Sequence, residues 1–228
     1  MSVSPGGPDL ASLSTLDDPV RRRLYEIVIR HTGPVGRDEA ASAAGIGRAL
    51  AVYHLDKLVE SGLLTASYRR PAGRTGPGAG RPAKVYARSD REFAVTVPPR
   101  EYELAARLLV QAVEADPSGR SRAALAEAAH RLGTELGSAS RSGQDVPGQD
   151  VQGALAQQGY EPDRGGDGVI RLRNCPFHQL TERHRELVCG MNLALVEGLV
   201  EGLGTGGWRP VLDPRPDHCC VAIGGDRP

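Results

Sequence analysis

Three residues, Gly45-Ile46-Gly47, leave little freedom to the segments on either side of them. Before them lies an Ala-rich run over residues 38–44 with Asp38 placed to cap it. After them, over residues 48–61, Ala51, Leu55, Leu58 and Val59 fall on one helical face while Arg48, Tyr53, Lys57 and Glu60 fall largely on others. Two helices joined by a Gly-containing turn of about three residues make the helix-turn-helix arrangement, a pairing that also occurs in proteins that do not bind DNA. Gly62 then offers a left-handed cap to the second helix.

The flanking residues extend this unit. Asp17 or Asp18 caps an earlier helix with Pro19 in its first turn, and Val20, Leu24, Ile27 and Val28 recur at helical spacing until Thr32-Gly33-Pro34 stops it. Downstream, residues 63–70 read as a strand and 84–87 as its return, separated by a Gly/Pro/Arg loop over 71–82 that is too long for a tight hairpin. Between Leu64 and Ser89 the bases are Arg69, Arg70, Arg74, Arg81, Lys84 and Arg88, with no Asp or Glu among them. The chain carries zero formal net charge. A concentrated basic segment in a neutral chain is what a DNA-binding module joined to an acidic partner domain would show, the plainer reading being a solvated loop.

The run Tyr53-His54-Leu55-Asp56-Lys57-Leu58-Val59-Glu60-Ser61-Gly62-Leu63-Leu64 resembles the His-Leu-x-x-Leu-x-x-x-Gly-Leu signature of ArsR-type winged-helix repressors. Gly80-Arg81-Pro82-Ala83-Lys84-Val85-Tyr86 is similar to the wing of one of their subgroups. Residues 1–13, with Ser, Pro and Gly and little periodicity, read as a disordered lead-in; the resemblance implies a winged helix-turn-helix domain over residues 14–97 and a homodimer on a double-stranded DNA operator. Arg48, Tyr53, His54 and Lys57 then meet base edges or phosphates from the second helix of the pair, with His54 equally readable as a buried packing residue. Arg69, Arg70, Arg74, Arg81 and Lys84 contact phosphates or the minor groove beside the wing.

Val97-Pro98-Pro99 marks a boundary. Residues 100–115 carry Leu104, Leu108, Leu109, Val110 and Val113 at helical spacing, and residues 122–136 place Leu125, Ala129, Leu132 and Leu136 in one stripe. These predict dimerisation and connecting helices over 98–140, followed by a Ser/Gly/Gln-rich flexible linker, 141–150. Residues 151–228 predict a small α/β domain, its elements a short helix, a strand over 169–173, helices over 179–185 and 186–203, and strands over 208–212 and 219–223. The fold class expected is α+β. At 228 residues with 39% hydrophobic but only 4% aromatic residues, two modest Leu/Val/Ile/Ala cores fit better than one.

All four cysteines, Cys175, Cys189, Cys219 and Cys220, lie in the last quarter of the chain with His178, His184 and His218 among them. No apolar run approaches the roughly 18 residues of a membrane span, and the polar, Pro/Gly-rich start is no signal peptide. A cytoplasmic location is therefore expected, where clustered thiols favour metal or redox chemistry over structural disulfides. On a strand, alternation sends Cys219 and Cys220 to opposite faces, and Cys219 shares the face of Val221 and Ile223. That favours Cys175, Cys189 and Cys219 as a converging trio, with His178, His184, His218 or Cys220 as a fourth ligand. A nucleophilic-cysteine enzyme would need an orienting group and an oxyanion site, and nothing marks either, nor a Gly-x-Gly-x-x-Gly or Walker loop. The protein is expected not to be an enzyme.

Asn174-Cys175-Pro176-Phe177, with Cys189 after a thirteen-residue gap and a late Cys-x-apolar-x-apolar strand, is similar to the sensor end of SufR-type iron–sulfur regulators. That resemblance implies a [4Fe–4S] cluster and repression of cluster-assembly genes. Here the first gap is one residue longer than in that pattern, the last cysteine is doubled and histidines are more numerous. A zinc-binding regulator, or one sensing oxidants or nitric oxide through its thiols, shares these residues.

Overall fold

The computed structural model describes residues 8–69, 82–93, 95, 100–142, 151–216 and 218–225. The chain is mixed helix and sheet and divides into two units, residues 1–100 and 101–228.

The first unit opens with helix α1 (Pro8–Ser14), where a disordered lead-in was expected, and a single turn of tighter helix. Leu13 and Leu16 pack against the apolar core and Ser12 is buried, which gives this short segment an anchor. Helix α2 (Pro19–Arg30) begins as its sequence demands: the Asp18 carboxylate accepts from the Val20 and Arg21 N–H groups at 2.9 and 3.0 Å, with Pro19 in the first turn. Strand β1 (Val35–Gly36) has only two residues, too few for a periodic signal, and precedes helix α3 (Arg37–Ala44).

Gly45 ends α3 at φ +64°, and the Ile46 N–H returns to the Ala41 carbonyl, so the turn into helix α4 (Arg48–Glu60) is made by backbone alone. Strands β2 (Leu64–Arg69) and β3 (Ala83–Arg88) pair antiparallel from Leu64↔Arg88 to Arg69↔Ala83, and β1 adds to β3, giving the order β1-β3-β2. Leu24, Val35, Ala44, Leu55, Leu58 and Tyr86 close the core beneath the helices. The loop residues 70–81 lie outside the described residues.

The second unit unites what the sequence divided into connecting helices and a separate sensor. Helix α5 (Tyr102–Glu114) is followed by helix α6 (Arg120–Ser142), helix α7 (Val151–Gln157), strands β4 (Pro162–Arg164) and β5 (Ile170–Leu172), helix α8 (His178–Leu203), and strands β6 (Trp208–Leu212) and β7 (Val221–Gly225). The strands form an antiparallel sheet in the order β4-β5-β7-β6. Ile170, Leu172, Val221 and Ile223 face Val196, Leu199 and Val200 of α8 and Val151 and Leu155 of α7.

Helix α8 comprises the two helices expected at 179–185 and 186–203, which meet at a kink where His184 takes non-helical dihedrals. Its partner α6 continues past the expected end at 136 because Gly137 serves packing rather than termination. A Cβ on Gly133 would fall on the Leu195 carbonyl oxygen and one on Gly137 on that of Leu199. On α8, one on Gly198 would fall on the carbonyl of His130 and one on Gly202 on that of Thr134. Contacts that advance together along both helices mean that α6 and α8 run parallel, backbone against backbone. Each helical Gly costs about 1 kcal/mol relative to Ala in isolation, so this approach must return more than that in contact. No helix among the described residues is long and apolar enough to cross a membrane.

Candidate functional site

Two groups of residues carry chemistry, one on the surface of the first unit and one inside the second. In the first, the absence of apolar demand on one side of α4 leaves Arg48, Leu50 and Tyr53 exposed, Tyr53 at 58%. Arg48 pairs with Asp38 at 3.0 Å and Lys57 with Glu60 at 2.7 Å. Exposed pairs of this kind are worth about 0–1 kcal/mol and yield readily to a stronger anion such as phosphate. Arg69 stands exposed at the end of β2. Arg70, Arg74 and Arg81 lie outside the described residues.

Two expected contacts are corrected here. His54 is only 7% exposed and belongs to the buried side of α4 beside Leu55 and Leu58, so it packs rather than reaching outward. Lys84 is turned inward to α4: its Nζ lies 2.6 Å from Asp56 Oδ1, to which the Tyr86 hydroxyl also donates at 2.9 Å. Burial works against ionisation of Asp56, but the Lys84 and Tyr86 hydrogen bonds outweigh it and hold the carboxyl below its usual value. This trio clamps the sheet to α4 and thereby sets the orientation of the exposed helix face.

The second group is assembled by three elements. Cys175 sits in the turn between β5 and α8, where its carbonyl accepts from the His178 N–H. Cys189 lies on the buried side of α8. Cys219 and Cys220 precede β7, and backbone bonds flank them: Cys219 N–H donates to Leu172 O at 2.7 Å and Asp213 N–H to Cys220 O at 2.8 Å. Cys219 shares the core with Val221 and Ile223 and is 4% exposed, as alternation requires. The expectation that Cys220 would point away from any common site fails, because the chain bends at Cys220 before the regular strand starts.

The four sulfurs form two pairs. Cys189 and Cys220 are joined as a disulfide, against the expectation of metal or redox thiols without structural bridging, while Cys175 and Cys219 are thiols hydrogen-bonded to each other. Beside them stands Asn192, 1% exposed and one helical turn beyond Cys189. It accepts from the Tyr160 hydroxyl and donates from Nδ2 to Cys219 Sγ at 3.2 Å. The hydrogen shared with Cys175, with further donation from the Val221 N–H and from Asn192, lowers the Cys219 thiol, and the same sharing together with burial raises Cys175. Burial first, then the charge of Cys219, raises Tyr160, which therefore stays a neutral donor.

Sequence reasoning missed Asn192 and Tyr160. A lone amide amid Leu193, Leu195 and Val196 was the signal, since an amide buried on an apolar helix must find partners. The histidines do not join the sulfurs. His178 is exposed, His184 at the kink of α8 meets Glu114 of α5 at 2.8 Å, and the His218 ring turns to the Pro216 carbonyl. Among the described residues no three His, Cys, Asp or Glu side chains are grouped as a metal ion would need. With Cys189 and Cys220 bonded together, this donor set does not fit a zinc ion or an iron–sulfur cluster; three free thiolates exist only once that bond is reduced.

Family models, curated proteins and solved structures were compared with the chain, and none of the three comparisons gave a match.

Proposed function

We propose that the chain is a DNA-binding transcriptional regulator, acting as a repressor, whose 101–228 unit is a thiol sensor. The observation that carries the reading is the exposed side of α4, which bears Arg48, Tyr53 and Lys57 and follows a three-residue turn, with the β2–β3 pair beside it. Helix α4 suits a major groove and β2–β3 a wing, as a winged helix-turn-helix would use them. The bases of β2 and the loop after it, unopposed by acids in sequence, suit phosphates.

Helix α5 supports a homodimer. Leu104, Leu108 and Leu109 form an exposed apolar stripe, Leu109 at 68%, while Ala106, Val110 and Val113 take the packed side. A two-fold pairing through such a stripe would present two copies of α4 to half-sites about one DNA turn apart.

The sensor is read as a thiol–disulfide centre, because that is the chemistry its sulfurs already display. The iron–sulfur reading implied by the SufR resemblance requires the four-thiol form, in which Cys175, Cys189 and Cys219 would be the ligands. Anaerobic purification with iron and sulfide analysis separates the two readings. The DNA reading is tested by the salt dependence of duplex binding, where log K should fall linearly with log salt. Binding that ignores salt, or no binding to any duplex in a random library, rejects it.

A further inference from the structure

We propose that Cys175 and Cys219 are a second oxidisable dithiol beside the Cys189–Cys220 disulfide, so that the 101–228 unit accepts two electron pairs' worth of oxidation in two separate steps. The centre then has three levels: four thiols, one disulfide with two thiols, and two disulfides. The inference deepens the sensor reading above and rests on it for its purpose, though not for its chemistry.

Pairing geometry carries the inference. The Cys219 N–H donates to the Leu172 carbonyl at 2.7 Å, three residues before Cys175, and Cys175 packs against the core cluster to which Cys219 belongs, so the fold brings the two free cysteines to one place; a hydrogen bond between their thiols agrees with this. Neither has another sulfur to choose, because Cys189 and Cys220 are joined to each other. A bridge between the neighbours Cys219 and Cys220 is disfavoured, since consecutive Cα atoms sit about 3.8 Å apart whereas disulfides span about 4.4–6.8 Å. The two vicinal cysteines thus serve two separate partners, one on α8 and one at the β5–α8 turn. Cys175 is half-buried, which gives a small oxidant a way in, and Asn192 Nδ2 donates to Cys219 Sγ at 3.2 Å.

A hydroperoxide is the class of oxidant that suits a narrow approach of this kind. One sulfur attacks the peroxide oxygen, the O–O bond breaks, and a sulfenic acid and one molecule of water or alcohol result. The second sulfur then displaces the hydroxyl from the sulfenic sulfur, the S–S bond forms and water leaves. Two thiols lose two electrons and two protons in total, and the O–O bond takes up both. The new bridge would tie the β5–α8 turn to the start of β7, next to the bridge that already ties α8 there.

The test uses the full chain, freed of metal by chelation and air-oxidised to the single-disulfide level. Alkylation under denaturing conditions followed by peptide mass mapping should find two free thiols, Cys175 and Cys219. After stoichiometric hydrogen peroxide it should find none, with a Cys175–Cys219 cross-linked peptide, and dithiothreitol should return all four. Cys175→Ser alters the less buried member and should leave Cys219 as a sulfenic acid trapped by dimedone. If Cys175 and Cys219 remain thiols in folded wild-type protein, or if the cross-link joins Cys219 to Cys189, the proposal is overturned. A sample carrying both bridges whose DNA affinity equals that of the four-thiol form upholds the dithiol and overturns the sensor reading instead.

Discussion

The groups proposed to act lie outside the core in one unit and within it in the other. Among the described residues of 1–100 the interior is almost wholly apolar, His54 and Ser12 being the buried polar side chains, and the groups proposed to act stand outside it on α4 and β2. In residues 101–228 Cys189, Cys219, Asn192 and Tyr160 are themselves buried, with Cys175 and Cys220 partly so. One unit is therefore a scaffold for a surface. The other is a core that can change its covalent state, and in it function and stability share the same residues.

Substitutions should expose that contrast, beginning with the closest packing. Gly198→Leu must push α6 and α8 apart at the His130 carbonyl and should lower stability by about 3 kcal/mol or more, read as a fall in melting temperature. Gly190 lies on the same helix with open space at its Cβ, so Gly190→Ala should raise stability by up to about 1 kcal/mol. Equal effects at the two positions would refute the interlocked helices.

Removing Asn192 tests whether the buried site is part of the core. Asn192→Leu strands the Tyr160 hydroxyl and strips a donor from Cys219, and about 2 kcal/mol should be lost in denaturant unfolding. A smaller effect is expected in the first unit, where Tyr86→Phe deletes one bond to a part-exposed carboxylate and should cost about 1 kcal/mol. Because Asp56 is held below its usual value, its contribution is present above the ordinary carboxylate range. Acid titration of the wild type should lose it as pH falls through that lowered value, and Asp56→Asn should flatten this limb of the stability curve.

Smallest in stability, and decisive for the surface, is Arg48→Ala. Unfolding should shift by no more than about 0.5 kcal/mol, whereas the salt slope of DNA binding should drop by about one unit. Lost DNA binding together with lost stability would erase the contrast between the units.

The same contrast explains what the sequence could and could not disclose. Asp18-Pro19, the Gly45-Ile46-Gly47 turn and residues 208–212 are local signals, and the corresponding cap, turn and strand β6 lie where they were expected. A two-residue strand such as β1, or the three residues of β4, has no period to read. The α6–α8 packing was hidden because it runs on glycine rather than on the Leu125–Leu136 stripe, of which Leu132 stays exposed. Which sulfur meets which depended on a bend at Cys220 that alternation does not contain. His54 was ambiguous from its sequence alone, since helical position permits both faces, and the packing of α4 decided it.

The central claim is that the thiol state of residues 101–228 governs DNA binding by residues 1–100. Fluorescence anisotropy of the full chain on a duplex selected from a random library, in the four-thiol and in the disulfide form at one salt concentration, tests it most directly. The account predicts affinities that differ by about tenfold or more, within the range of ordinary coupling between sites, and loss of the difference in Cys220→Ser. Equal affinities in the two forms of the wild type would contradict it.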